Sequence, residues 1–385
     1  MSVGNYTEQI ERTEPEAVVL FGILFHNVTF QGALEWAIRR MREGKPAVIA
    51  TVNVDFVMQA WEDADLHETL LEADLVVADG APIVGLSSRF GPQLRERVTG
   101  SDLTPILARA CAKEDFGIYL LGAGPGVALK AGRVLCEQNP RLRIVGCHSP
   151  PVSPLSKMKH SDILRQLEAA QPHLLLVALG APKQEKFIRQ NLPYWKVPIA
   201  IGVGGTLDFL AGVQWRAPTL VQKIGMEWLW RLATDPTRLL RRYHLNLAFL
   251  VSALVRLLFL KLRGLIASDF LHDAGASLQE DFERLDARLV ELEHLGKLEA
   301  RDCRMRWILV NLGRRHWLES GELAQLVAFA RDFRRIGGRF SVLCPSKTLE
   351  NFFRVCHLDR FIHIFATAQE ALFKIKKTSL DVGPK

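Results

Sequence analysis

Two features of the sequence predict an α/β protein: a mostly parallel sheet covered by helices, followed by a second, smaller α/β domain. Between residues 18 and 203 short apolar runs alternate with amphipathic stretches, the rhythm of strands and crossover helices. From Trp307 a shorter series of the same kind begins. With 385 residues, 48% hydrophobic and 24% charged, the chain is long and apolar enough for two separate cores. The rhythm divides it into a polar tail at 1–17, a first domain at 18–220, a basic, partly apolar appendage at 221–267, a charged linker and domain entry at 268–306, and a second domain at 307–377.

The first domain's strands are expected at 47–53, 75–78, 117–121, 143–147, 174–179 and 199–203. Ligands of open parallel sheets bind at the strands' carboxyl ends, so the loops that follow these runs are where chemistry is sought. The first strand closes as Thr51-Val-Asn53-Val-Asp. Residues two apart on a strand face the same way, which sends Thr51 and Asn53 toward one site, although both types also serve as turn formers. The second strand ends in Asp79-Gly80. A carboxylate there can take a proton from an acceptor hydroxyl, or equally cap the next helix.

Further loops carry groups suited to anions and hydroxyls. Arg97 precedes a helix start at Gly100-Ser101-Asp102, and its guanidinium can fork onto phosphate or carboxylate, the alternative being an ordinary surface arginine. Gly122-Ala-Gly124-Pro-Gly126 opens a helix whose N-terminus favours an anion. It departs from the dinucleotide fingerprint, because its third glycine comes one residue early and the next strand, ending near Cys147 and His148, offers no ribose-binding acid. Gly180-Ala-Pro182-Lys-Gln184-Glu185 and Gly204-Gly205 follow the last two strands, and Gln184 and Glu185 are of types that read sugar hydroxyls or a uracil edge, or that simply start a helix. Asp63-Ala-Asp65 matches a two-carboxylate metal motif in form, but it sits in a charged amphipathic stretch that reads as helix surface.

Net charge is +7, and the segment 221–264 alone holds eight basic residues against Glu227 and Asp235. Arg231, Arg238 and Arg241, spaced seven and three apart, fall near one helix face, where they can neutralise a leaving diphosphate without metal. The adjoining apolar stretch, 245–267, has its longest uncharged apolar run at 247–255, short of the ~20 residues that span a bilayer. It reads as an interfacial helix with basic residues at the headgroups, the competing reading being a helix packed on the next domain. The basic residues adjoin Leu and Phe rather than stacking aromatics, which disfavours nucleic acid. Six scattered cysteines without paired spacing fit a reducing cytoplasm, and the polar, acidic N-terminus does not read as a secretory signal.

Taken in order, Thr51-x-Asn53, Asp79-Gly80, Arg97-x-x-Gly100-x-Asp102, Gly180-x-Pro182-x-Gln184-Glu185, Gly204-Gly205, Arg216-Ala-Pro218 and Glu227-Trp-x-x-Arg231 with Pro236, Arg238 and Arg241-Arg242-Tyr243 resemble the WecG/TagA/CpsF glycosyltransferases. The resemblance runs from about Val18 to Tyr243. It implies a Rossmann-like, metal-independent, inverting enzyme with no cofactor. Its donor would be a UDP-sugar, often UDP-N-acetylmannosamine or the uronic acid, and its acceptor an undecaprenyl-diphosphate-linked sugar at the inner face of the cytoplasmic membrane. By position, Asp79 would be the base, with Thr51, Asn53, Arg97 and Gln184 lining the pocket and Arg231, Arg238 and Arg241 closing over the diphosphate. The second domain, through Val310-Asn-Leu312, Glu319-Ser-Gly321, Gly337-Gly338 and Leu358-Asp-Arg-Phe361, resembles a STAS module. Leu318-Glu319 replaces that family's Asp-Ser pair, which argues against a phosphorylation switch. A STAS module implies a protein partner, and the alternative to an enzyme is an idle nucleotide-sugar-binding adaptor acting through it.

Overall fold

A computed structural model describes residues 15–89, 91–218, 221, 227–234, 236–266, 279–298, 300, 303, 305–313 and 315–381. The polar tail, apart from its last residues, lies outside them, as do the side chains of Arg231 and Arg238. The chain enters through a hairpin of β1 (Ala17–Leu20) and β2 (Ile23–His26). The helix α1 (Phe30–Glu43) leads to β3 (Ala47–Val52), followed by α2 (Val54–Glu62), α3 (Ala64–Glu72) and β4 (Leu75–Ala78). Then come α4 (Ala81–Ser87), α5 (Gly100–Glu114), β5 (Gly117–Gly122), α6 (Val127–Gln138), β6 (Arg143–His148) and α7 (His160–Ala170). The domain closes with β7 (Leu174–Ala178), α8 (Lys183–Asn191), β8 (Ile199–Gly202) and α9 (Thr206–Leu210).

The six strands β3 to β8 form one parallel sheet in the order β4-β3-β8-β7-β5-β6. β3, β4, β7 and β8 are almost entirely buried apolar residues, as a sheet covered on both faces requires. The strand order puts the carboxyl ends of β4, β3, β8 and β7 side by side. The loop after β5 lies one strand beyond that group.

Among its described residues the appendage holds the helices α10 (Glu227–Thr234) and α11 (Pro236–Ile266). At 1.5 Å per residue the second extends about 46 Å. Its stretch Leu239–Gly264 is long and apolar enough to cross a membrane by length and composition. The uncharged run at 247–255 is only the core of this stretch. One face is nevertheless engaged with protein. Ala253, Leu257 and Leu260 are buried, the Phe249 ring meets Trp61 of α2 edge-on at 4.9 Å, and the helix packs on α2 and on a helix of the second domain.

That domain comprises α12 (Gln279–Glu283), β9 (Ala287–Glu291), α13 (Leu292–Leu295), β10 (Trp307–Asn311), α14 (Ser320–Arg335), β11 (Arg339–Leu343), α15 (Lys347–Val355), β12 (His363–Phe365) and α16 (Ala368–Asp381). Its sheet is parallel, in the order β12-β11-β10-β9. β9 falls inside the stretch read from sequence as linker and domain entry, so that entry supplies an edge strand of the domain. The domain docks on the first through α14. Arg334 pairs with Glu68 at 2.8 Å and Arg335 with Asp74 at 2.7 Å. Two buried histidines lie at this junction. His26 Nδ1 accepts from Val76 N–H at 2.9 Å, and burial together with nearby Arg331 lowers its pKa to about 3. His67, facing His357, is lowered by burial to about 4.

Candidate active site

The adjacent ends of β4, β3, β8 and β7 surround a cavity of about 1460 Å³ that is roofed by α10 and α11. Thr51, Asn53, Asp79, Arg97, Gln184, Gly204 and Gly205 all line it. Asn53 also caps α2, its Oδ1 accepting from Phe56 N–H at 3.1 Å. The capping alternative for Asp79 is not what the fold adopts: Gly80 holds the N-cap position of α4, and no side chain caps it. Asp79 is anchored through its backbone N–H, which donates to Val52 O at 2.9 Å. Its carboxylate therefore sits at the strand tip, with Gly80, Ala81 and Pro82 along the cavity wall.

Gln184 and Glu185 act as a pair under β8. The Gln184 amide donates through Nε2 to Glu185 Oε1 at 2.7 Å and accepts the Gly204 N–H at 3.1 Å. Both side chains press on Gly202, where an added Cβ would stand 2.4 Å from Glu185 Oε1. Burial pushes the Glu185 carboxyl up to about 7. Glu185 is thus a support for Gln184 and does not itself line the cavity.

Two arginines and a helix start bring donors to the cavity, each arginine beside a carboxylate. Gly100 and Ser101, the first turn of the 15-residue α5, line the cavity, and a helix N-terminus attracts anions. Arg97 lies 3.7 Å from buried Glu227 of α10. Arg216 lies 3.9 Å from the same carboxylate and 2.7 Å from Asp102. Arg242 of α11 lines the cavity and grips buried Asp55 of α2 with two nitrogens, Nε to Oδ1 at 2.6 Å and Nη2 to Oδ2. Gln59 Nε2 donates to the same carboxylate at 2.5 Å.

Several residues expected at the site lie elsewhere. Gly122 and Gly124 are not among the lining residues. Gly122 has φ +105° and leaves no room for a Cβ, which would stand 2.4 Å from Ala178 O, and Ser149 Oγ donates to both glycine carbonyls. That loop is shaped by strand packing. Asp102 is absorbed in capping α5 with Thr99 and in its pair with Arg216. Arg241 is exposed and does not line the cavity; a 100° step per residue turns Arg242 inward instead. The backbone positions of Arg231 and Arg238 fall on α10 and α11, but their side chains lie outside the described residues. Asp63 and Asp65 are occupied by Lys186 and Arg189 at 2.6 to 3.0 Å. Among the described residues no three His, Cys, Asp or Glu side chains gather as a metal site.

Asp55 and Arg242 were missed by sequence reasoning, although both stand inside quoted motifs, Thr-Val-Asn-Val-Asp55 and Arg241-Arg242-Tyr243. Their pairing spans 187 positions of chain, and no local pattern carries such a contact.

The chain is 30% identical over 192 residues to a protein of Bacillus subtilis (strain 168) named N-acetylglucosaminyldiphosphoundecaprenol N-acetyl-beta-D-mannosaminyltransferase, a match covering 50% of this chain and 73% of that protein. A profile of the glycosyl transferase WecG/TagA/CpsF family matches residues 18–263, from β1 almost to the end of α11, and the chain belongs to that family.

Proposed function

We propose that this glycosyltransferase moves N-acetylmannosamine, or its uronic acid, from UDP to a sugar carried on undecaprenyl diphosphate, without a metal ion and with inversion. The observation that carries the reading is the gathering of Asp79, Thr51, Asn53, Arg97 and Gln184 around one cavity under an amphipathic helix. Asp79 takes the proton of the acceptor hydroxyl as its oxygen bonds to the donor's anomeric carbon from the face opposite UDP. The bond from that carbon to the diphosphate breaks, and its electron pair leaves on the β-phosphate. Arg97, Arg242 and the first turn of α5 meet the charge that develops there. Thr51, Asn53 and Gln184 hold the donor's hydroxyl and amide groups.

The acceptor's lipid requires the enzyme to work at the inner face of the cytoplasmic membrane. The exposed face of α11, apolar between basic residues, suits a helix lying in the headgroup plane, because a transmembrane pass would tear Phe249, Ala253 and Leu257 from their protein contacts. The second domain, as a STAS-like module, holds α11 from its other side and offers a surface for a protein partner.

The test is a panel of UDP-sugars against a short polyprenyl-diphosphate-N-acetylglucosamine, with and without a divalent-metal chelator. Transfer from UDP-N-acetylmannosamine that survives the chelator is the expected result. Folded protein that transfers no UDP-sugar overturns the reading, and activity lost to the chelator overturns its metal-free part.

A further inference from the structure

The exposed side of α11 is a continuous apolar stripe. Leu240, Leu247, Val251, Val255, Leu258 and Leu262 are all exposed, and their spacings of seven, four, four, three and four keep them on one helix face. That face lies opposite the buried Ala253, Leu257 and Leu260. Exposed Arg241, Arg256 and Arg263 run along one shoulder of the stripe, as an anionic lipid surface would favour.

A second apolar projection comes from the catalytic domain. In the turn after α9, Trp215 is 87% exposed and Val213 57%. The turn is built rather than loose, since Val213 N–H and Gln214 N–H both donate to Asp208 O, at 2.9 and 3.3 Å. Trp215 lines the same cavity as Leu240 and Leu247, which are themselves 63% and 61% exposed. Residues that line a cavity while staying open to solvent stand at its rim. The rim of the cavity therefore carries exposed apolar side chains from two separate parts of the chain. Tryptophan is the side chain best suited to the boundary between water and lipid, with an apolar ring and one N–H donor.

We infer that Val213 and Trp215 are a second membrane contact, and that together with the α11 stripe they seat the mouth of the cavity on an anionic bilayer. A helix alone leaves the body free to roll about its axis. Two separate contacts at the rim fix that roll and present the opening to the headgroup layer, where a lipid-linked sugar lies. The inference rests on the proposed lipid acceptor for its purpose, but its test does not involve the sugar.

Full-length protein is floated with vesicles of phosphatidylcholine containing phosphatidylglycerol, and with phosphatidylcholine alone. Val213→Ser is expected to weaken binding to the anionic vesicles several-fold and Trp215→Phe by up to about tenfold, the scale of partly withdrawing one large apolar side chain from water. Brominated lipids should quench a fraction of the wild-type tryptophan fluorescence that Trp215→Phe lacks. Val251→Glu with Val255→Glu should release the protein from vesicles. If both loop variants bind as the wild type does and the quenched fraction is unchanged in Trp215→Phe, the loop does not touch lipid and the inference fails, while the helix contact stands. Wild-type protein that ignores vesicles but self-associates through this face also overturns it, in favour of a contact between copies. Sugar transfer to a water-soluble acceptor in either case leaves the catalytic reading intact.

Discussion

The two parallel sheets of this molecule share an architecture and use their strand ends differently. At the carboxyl ends of β4, β3, β8 and β7, Asp79, Asn53, Gly204 and Gly180 open onto a cavity. At the corresponding ends of the four-stranded sheet the polar groups are spent on one another. Asn311 Nδ2 donates to Glu291 Oε1 at 2.9 Å and its Oδ1 accepts from Gly313 N–H at 3.0 Å. Ser346 caps α15 and meets His316 at 3.0 Å, and Arg315 bridges Glu293 and Glu322. A parallel sheet does not make an active site by itself. What differs is whether the strand-end loops surround a cavity or close over one another. The second sheet reads as scaffold for α11 and as a docking body, while the first opens its strand ends onto a cavity.

The widest separation between the sheets should come from paired substitutions at strand ends. Asp79→Ala is expected to lower turnover by about 10²- to 10⁴-fold, the range for a lost general base, while UDP-sugar binding persists. Asn311→Ala should cost about 1 to 2 kcal/mol of stability through its broken hydrogen bonds and leave turnover per folded molecule unchanged. Equal losses of turnover from both would break the comparison. A smaller effect is expected on the roof of the cavity. Arg242→Ala should reduce kcat by roughly 10²-fold, as for other preorganised donors to developing charge, with Arg242→Lys recovering part of it and Arg241→Ala near wild type. The reverse ranking of Arg241 and Arg242 in steady-state kinetics would show that α11 presents its other face.

The smallest effect concerns the junction between the two sheets. His26 and His67 have pKa values lowered to about 3 and about 4, so each stays neutral in the folded protein while the unfolded chain protonates near 6.5. The stabilisation is complete above pH 6.5 and is lost as pH falls toward the folded values. At pH 5 the loss is roughly 2 kcal/mol per histidine. Urea midpoints measured between pH 7 and pH 5 should fall accordingly, with a shallower slope in His67→Gln. A midpoint unchanged across that interval would mean the histidines are not held neutral at the junction.

Much of this was legible from residues alone. All six strands of the first sheet appear where apolar runs end in polar or glycine loops, because the buried ones need continuous apolar sequence, while β6 at the edge is only half-buried. The carboxylate at the tip of β4, the Thr51-Asn53 pair and the basic, apolar character of the appendage were legible for the same reason, each being a local pattern of residue types. The hairpin β1–β2 was not singled out, since residues 17–26 form one nearly unbroken apolar run with only Gly22 to mark the turn. Strand order decided the rest. The glycine loop after β5 looked like an anion site by composition, yet it follows a strand one place away from the cavity and is packed against Ala178. Asp55 and Arg242 became partners only when α11 lay across α2. Both sides of α11 carry apolar residues, and only the packing of α2 and α15 against one of them decided which stripe stays exposed. Local sequence sets what each segment can form and which chemistry it carries. Which segments share an edge or a face is settled by contacts between residues far apart in the chain, which no local pattern encodes.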